Sequence, residues 1–175
     1  SEFNVGYFGK VIKIKGSDLI EKLIKSLPDI KFHIYSQKMD RSLNYSNVKV
    51  FKNFPHNKIL KEMYKMDIFL MTISKINSRS DFSSYTSPLK LFEYLSCGRP
   101  VLCSDFPSVR EINPKGDIIS YMENDFNLWR RKILELKQNH DLRLQLSEDS
   151  FKLSKKYTWK NRAKKILNLV QNNKK

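Results

Sequence analysis

The chain alternates short apolar runs with amphipathic stretches, and that alternation restricts its possible folds more than any other property. Asn4-Val-Gly-Tyr-Phe-Gly9, Ile30-Lys-Phe-His-Ile-Tyr35, Asp67-Ile-Phe-Leu-Met71 and Pro100-Val-Leu-Cys103 read as strands. Val48-Lys-Val-Phe51 and Ile118-Ile-Ser-Tyr121 are shorter candidates. Helical patterns lie between them. Leu19, Ile20, Leu23, Ile24 and Leu27 share one face, with Ser17 or Asp18 placed to cap its start. Ile59, Leu60, Met63 and Tyr64 mark a second helix, and Phe126, Trp129, Ile133 and Leu136 a later one. Another runs from about Asp141 towards Tyr157. Thr158 stands where it can cap a final helix, with Trp159, Ala163, Ile166, Leu167 and Val170 on its apolar face. Strands alternating with helices in this way, several of them apolar throughout, predict a parallel sheet covered on both faces. The fold class is therefore α/β, doubly wound and Rossmann-like. Ligands in such folds bind beyond the carboxyl ends of the strands.

One stretch couples this architecture to chemistry. Ser87-Pro-Leu-Lys-Leu-Phe-Glu-Tyr-Leu-Ser-Cys-Gly98 reads as a helix entered from a polar loop. Ser87 occupies the N-cap and Pro88 the first helical position, where a missing N–H costs nothing. Leu89, Phe92 and Leu95 recur at helical spacing, and Gly98 stops the helix in a left-handed turn. The buried strand from Pro100 follows. A helix start offers free backbone N–H groups and a positive dipole end, which suit a phosphate. Lys90 puts a cation in that first turn, where the dipole disfavours it, so a bound anion relieves the conflict. The polar run from Ser74 to Ser87 is the longest loop candidate, and loops of that length are often functional.

Ser87-Pro-Leu-Lys-Leu-Phe-Glu-Tyr-Leu-Ser-Cys-Gly-Arg-Pro-Val101 resembles the nucleotide-sugar-binding motif of the GT-B glycosyltransferases of the large retaining group called group one. The resemblance implies that Glu93 hydrogen-bonds the ribose of a donor nucleotide. It also implies that the helix start, with Ser87, Leu89 and Lys90, receives the donor diphosphate. Relatives often carry an acidic residue eight positions before the glutamate, contacting the transferred sugar; Tyr85 stands there instead. Either the sugar is held differently or Asp81 reaches in from the loop. A plainer reading of Glu93 remains: it lies three residues after Lys90 and can form an ion pair worth ~0.2–0.5 kcal/mol.

Gly9-Lys-Val-Ile-Lys-Ile-Lys-Gly16 resembles a second family motif, a glycine turn after the first strand with two basic residues that grip the donor diphosphate. The resemblance implies that Gly9 makes the turn and that Lys10 and Lys15 are the catalytic cations, stabilising charge as it builds on the leaving diphosphate. Lys10 stands where arginine is more usual and lacks its planar two-point grip. Taken without the resemblance, this is a lysine-rich, solvated loop. It is not an ATPase-type P-loop, because the order here is Lys15-Gly16-Ser17, and the glycine spacing of a dinucleotide fingerprint is missing. Phe54-Pro-His56 falls where relatives pack the nucleobase. Asp105-Phe-Pro-Ser-Val-Arg-Glu111 either borders the sugar pocket or is a plain junction from loop to helix. Tyr157-Thr-Trp159 and the helix after it resemble the family's closing segment, an amphipathic helix docking on the body.

The 175 residues suffice for one domain with a sizeable core. Without repeats or a low-complexity linker, residues 4–175 read as that domain, and Ser1-Glu-Phe3 as a vector remnant or truncation point. Two cysteines, Cys97 and Cys103, make no disulfide framework and fit a reducing cytoplasm. Cys97 reads as a packing residue. His33, His56 and His140 have no ligand spacing, so neither metal nor cofactor is expected. No apolar run approaches the ~20 residues that span a bilayer.

The net charge is +15, yet it is uneven. Residues 77–150 are nearly balanced, while residues 151–175 hold nine basic residues and no acidic one. That tail either aids solubility or faces an anionic surface such as the inner face of a membrane.

Taken together, the resemblance implies the donor-binding half of a GT-B enzyme, with an N-terminal acceptor domain absent from this chain. The donor is a nucleoside-diphosphate sugar, UDP- or GDP-linked, and a hexose passes with retention to a saccharide or lipid-linked acceptor. The fragment alone is expected to bind a nucleoside diphosphate weakly and to be inactive. Two rival classes stay open: a basic module binding nucleic acid, although no single-strand platform or known RNA motif is present, and a sugar-nucleotide epimerase of the same two-domain plan.

Overall fold

The computed structural model describes residues 2–74, 88–123 and 125–172. Six strands form one sheet: β1 (Asn4–Phe8), β2 (Lys31–Tyr35), β3 (Val48–Phe51), β4 (Ile68–Met71), β5 (Val101–Ser104) and β6 (Ile119–Met122). Their order is β3-β2-β1-β4-β5-β6, and every neighbouring pair is parallel. The order reverses between β1 and β4, which places the switch point of a doubly wound fold there.

Side chains on the two faces follow the period of two that strands impose. Val5, Tyr7, Phe32, Ile34, Ile68, Leu70 and Leu102 form one core with Ile20, Leu23 and Ile24 of α1 (Ser17–Ser26). Trp129, Ile133 and Leu136 of α5 (Phe126–Gln138) complete it. Trp129 is fully buried, and its Nε1 donates to the Glu123 carbonyl at 2.9 Å. Phe8, Tyr35, Phe69, Val101 and Cys103 face the other way. They meet Met63 of α2 (His56–Met63), Leu91, Tyr94 and Leu95 of α3 (Leu89–Ser96), and Val109 of α4 (Pro107–Arg110). Leu153 of α6 (His140–Ser154) closes that second core. Phe3 also belongs to the molecule's core: its ring is buried and its carbonyl accepts the Lys31 N–H at 3.0 Å.

Two helix starts differ from the sequence reading. Neither Ser17 nor Asp18 caps α1. A 3-10 turn over Lys13–Lys15 brings the chain to Gly16, which holds the cap position at φ 78°, a left-handed conformation that glycine adopts freely. The Ser17 hydroxyl donates to Asp40 at 3.0 Å, and Asp18 pairs with Arg41 at 2.5 Å. At α3, Pro88 flanks the helix instead of opening it. Its ψ of 51° is not helical, and its carbonyl accepts from Leu91 N–H at 2.9 Å. The expected N-cap, Ser87, lies outside the described residues, as do Asp81 and Tyr85. Gly98 ends α3 at φ 60° as predicted.

The last helix, α7 (Trp159–Asn172), is capped by Thr158, whose hydroxyl accepts the Asn161 N–H at 3.1 Å. It does not dock. No α7 residue is buried, and Trp159 and Leu169 are 76% and 63% exposed. The body ends at Tyr157, whose hydroxyl donates to the Ile112 carbonyl at 3.1 Å, and the chain leaves it there.

Candidate functional site

β1 pairs with β4 only at Val5 and Gly6, whereas its pairing with β2 continues to Phe8. Past Gly6 the two strands part, and Tyr94 of α3 fills the gap. Its hydroxyl accepts the Phe8 N–H at 3.0 Å and donates to the Phe8 carbonyl at 3.4 Å. The ring stacks on Phe69 at 4.2 Å. This buried phenol satisfies backbone groups that β4 no longer reaches, and it ties α3 to the residue just before Gly9.

The chain after β1 is gripped from two sides. Gly9 N–H donates to Tyr35, Val11 N–H to Lys38 and Asp40 N–H to Val11, at 2.9–3.0 Å. On the other side the Tyr7 hydroxyl donates to the Lys10 carbonyl at 2.8 Å. The Thr72 hydroxyl donates to the Lys15 carbonyl, and Ser74 N–H reaches Ile14 at 3.1 Å. Burial keeps the Tyr7 phenol protonated by pushing its pKa far up. Lys15 is half-buried; burial, and then the charge of Lys10, lower its pKa.

A cavity of about 230 Å³ opens beside this turn. Gly9 and Lys10 line it from the β1 turn, and Lys90 from the first turn of α3. An aromatic ladder lines it as well. Phe8 stacks on Tyr35 at 4.4 Å, Tyr35 stacks on Phe51 at 4.4 Å, and Phe54 meets Tyr35 edge-on at 5.2 Å. Asn53, in the left-handed conformation at φ 54°, sits on the rim. One space thus joins two lysines to a flat apolar surface.

Of the residues singled out from sequence, Gly9, Lys10 and Lys90 meet at this cavity. Lys15 lies next to Lys10 but does not line it. Leu89, the first residue of α3, is exposed, and Ser87 lies outside the described residues. Glu93 stands one turn along α3 and binds Lys90 at 2.6 Å, with both side chains about a third exposed. The plain ion pair weighed from sequence is thus the arrangement present.

Asp105 pairs through both oxygens with Arg110, each contact at 2.7 Å, and the guanidinium lies 4.1 Å from the Tyr121 ring centre. These contacts brace the segment where it passes from loop to helix. Burial pushes the Cys97 thiol up to about 11 and raises Cys103 as well, which fits packing roles. His33 meets Asn4 Oδ1 at 2.9 Å. Among the described residues no three His, Cys, Asp or Glu side chains cluster as metal ligands do.

Sequence reasoning missed Tyr7, Thr72 and Tyr94, because each reads as an ordinary core or strand-end residue. Only the hydroxyls of two tyrosines on otherwise apolar faces hinted that polar partners were needed.

The model of a family described as glycosyl transferase-like matches residues 15–168. The chain belongs to that family. No curated protein matches it. Among solved structures, sucrose-phosphate synthase from Thermosynechococcus elongatus superposes with a TM-score of 0.79 at 15% identity, over 98% of this chain and 45% of that one. HepE from Anabaena, in complex with UDP and glucose, gives 0.80 at 13% identity, over 98% and 48%. The C-terminal domain of a glycosyl transferase group 1 family protein from Francisella tularensis gives 0.72 at 16% identity, over 90% and 87%.

The fold is therefore that of a GT-B glycosyltransferase domain, and the chain spans just under half the length of the first two enzymes. No helix among the described residues is long and apolar enough to cross a membrane.

Proposed function

We propose that this glycosyltransferase domain binds the donor, a nucleoside-diphosphate sugar, and that the complete enzyme passes a hexose with retention to a saccharide or lipid-linked acceptor. The observation that carries this reading is the cavity at the carboxyl ends of β1, β2 and β3, where Lys10 and Lys90 meet an aromatic ladder. A nucleoside diphosphate needs cations at one end and an apolar platform at the other. Lys10, with Lys15 behind it, and the start of α3 receive the two phosphates. They stabilise charge on the leaving diphosphate without any metal. The ladder beneath Phe54 takes the base. Glu93 exchanges Lys90 for the ribose hydroxyls, and its two acceptor oxygens suit a pair of donors. UDP in the HepE complex supports a uridine or related donor for this chain.

The remainder of the enzyme is an N-terminal acceptor domain, and the apolar face of α7 is where we place its contact. The lysines of residues 151–175 favour an anionic lipid surface beside the assembled enzyme, on the cytoplasmic side of a membrane.

A thermal-shift series with UDP, GDP, ADP and pyrophosphate tests the reading. A ligand at about 100 times its Kd raises stability by ~2.7 kcal/mol, a shift easily measured. At least one nucleoside diphosphate is expected to give it. Glu93→Ala is expected to weaken that nucleoside diphosphate about fivefold and to leave pyrophosphate nearly unchanged, as loss of about 1 kcal/mol of hydrogen bonding implies. Equal losses for both ligands exclude the ribose role, and no response to any diphosphate excludes the donor site.

A further inference from the structure

The turn from Gly9 to Gly16 carries both amines of the β1 arm, and its shape is not set by those amines. Two hydroxyls grip it, and each takes the backbone carbonyl of one of the two lysines. Tyr7 donates to Lys10 at 2.8 Å, and Thr72 donates to Lys15. The two grips act on the same turn and form one cluster around it. Both residues are buried, at 4% and 3% exposure.

The cluster is anchored beyond the turn. Thr72 directly follows β4. Its neighbour Ile73 donates its N–H to Ser104 Oγ at 2.9 Å, and that hydroxyl donates back to the Ile73 carbonyl at 3.2 Å. The end of β5 therefore holds the end of β4, which holds the turn. Close contact at Gly16 completes the fit. A Cβ there would lie 3.0 Å from both Cβ and Oγ1 of Thr72, and the backbone is left-handed besides. Side chains are excluded from that position so that Thr72 can reach Lys15.

A diphosphate is bound best by groups already fixed in place, because less ordering is then needed on binding. A turn free to relax would lose that advantage. We propose that the Tyr7 and Thr72 hydroxyls are positioning groups that fix the turn carrying Lys10 and Lys15 for a diphosphate. Neither hydroxyl lines the cavity; both act through the lysines' own backbone. The proposal rests on the donor-binding reading above and adds to it the device that pre-organises its charge.

Three substitutions in the full chain test this. Thr72→Val keeps the shape and removes the hydroxyl, Thr72→Ser keeps the hydroxyl, and Tyr7→Phe removes the second donor. Binding of UDP, pyrophosphate and uridine is measured by titration, with circular dichroism to verify that each variant is folded. Thr72→Val and Tyr7→Phe are expected to weaken UDP and pyrophosphate together by about 5- to 20-fold, the loss expected when one or two hydrogen bonds no longer order the site. Uridine binding is expected to stay within about twofold, and Thr72→Ser to restore the diphosphates to within about threefold. Merely structural hydroxyls would change all three ligands alike or none, and either result overturns the proposal. So does Thr72→Ser behaving as Thr72→Val does. If the parent protein binds neither UDP nor pyrophosphate, the donor-binding reading falls and this proposal with it. Parent binding that Thr72→Val and Tyr7→Phe leave unchanged removes the proposal alone.

Discussion

Helices α3 and α7 have similar sequence patterns and opposite fates. In α3 the residues Leu91, Tyr94 and Leu95 are buried completely or nearly so. In α7 the residues at matching spacing, Trp159, Ile166, Leu167 and Val170, are all more than half exposed. The difference lies in what each helix adds besides an apolar face. α3 brings a phenol that replaces the lost β4 partner of Phe8, and it is followed at once by a strand of the sheet. α7 follows a turn of lysines and adds no buried polar partner of this kind. Periodicity specifies a face; a polar partner and the connection decide where that face goes.

Substitutions in the two helices put this contrast to the test. The largest effect is expected for Leu95→Ala in α3, a loss of about 2–5 kcal/mol for emptying a fully buried site, read from urea unfolding. A loss below ~1 kcal/mol would mean that α3 is held by little more than its ends.

An intermediate effect is expected from acid. Glu21 in the docked helix α1 accepts from Tyr45, Lys25 and Arg41, and these bonds hold its carboxyl at about 2. Its folded pKa is below the ordinary value, so its stabilisation is present above about pH 4.5 and fades as pH falls towards 2. Glu21→Gln is expected to flatten that part of the stability profile. α7 holds no carboxylate, so deleting it should leave the acid limb where it was. A limb that moves with α7 would tie that helix to the body.

The smallest effect is expected for Ile166→Ala, within about 0.5 kcal/mol in this chain. A cost near that of Leu95→Ala would contradict an undocked α7.

The sheet, its strands and most helix cores were readable from the sequence, because parallel strands buried on both faces leave a strong apolar signal. Gly9, Lys10 and Lys90 could be placed at one edge because the fold puts the relevant turns there. The caps were less readable. Ser17 looks like a cap, but Gly16 makes the tighter turn and Ser17 turns to Asp40. Least readable were contacts that join residues far apart in the chain. Thr72 and Lys15 are 57 positions apart, and Tyr94 and Phe8 are 86 apart. No local pattern encodes such pairings; only the finished topology brings them together. The apolar face of α7 was visible, and its exposure was not, since a periodic face carries no record of its neighbour.

The chain's two tryptophans divide along the same line. Trp129 is sealed in the core and Trp159 stands 76% in solvent at the start of α7. Their fluorescence gives the molecule two independent channels. A blue-emitting, quencher-resistant signal follows unfolding, and a red-emitting, quenchable one follows whatever comes to cover the last helix. Substituting either indole isolates the other, so engagement of that surface can be followed in solution without attaching a dye.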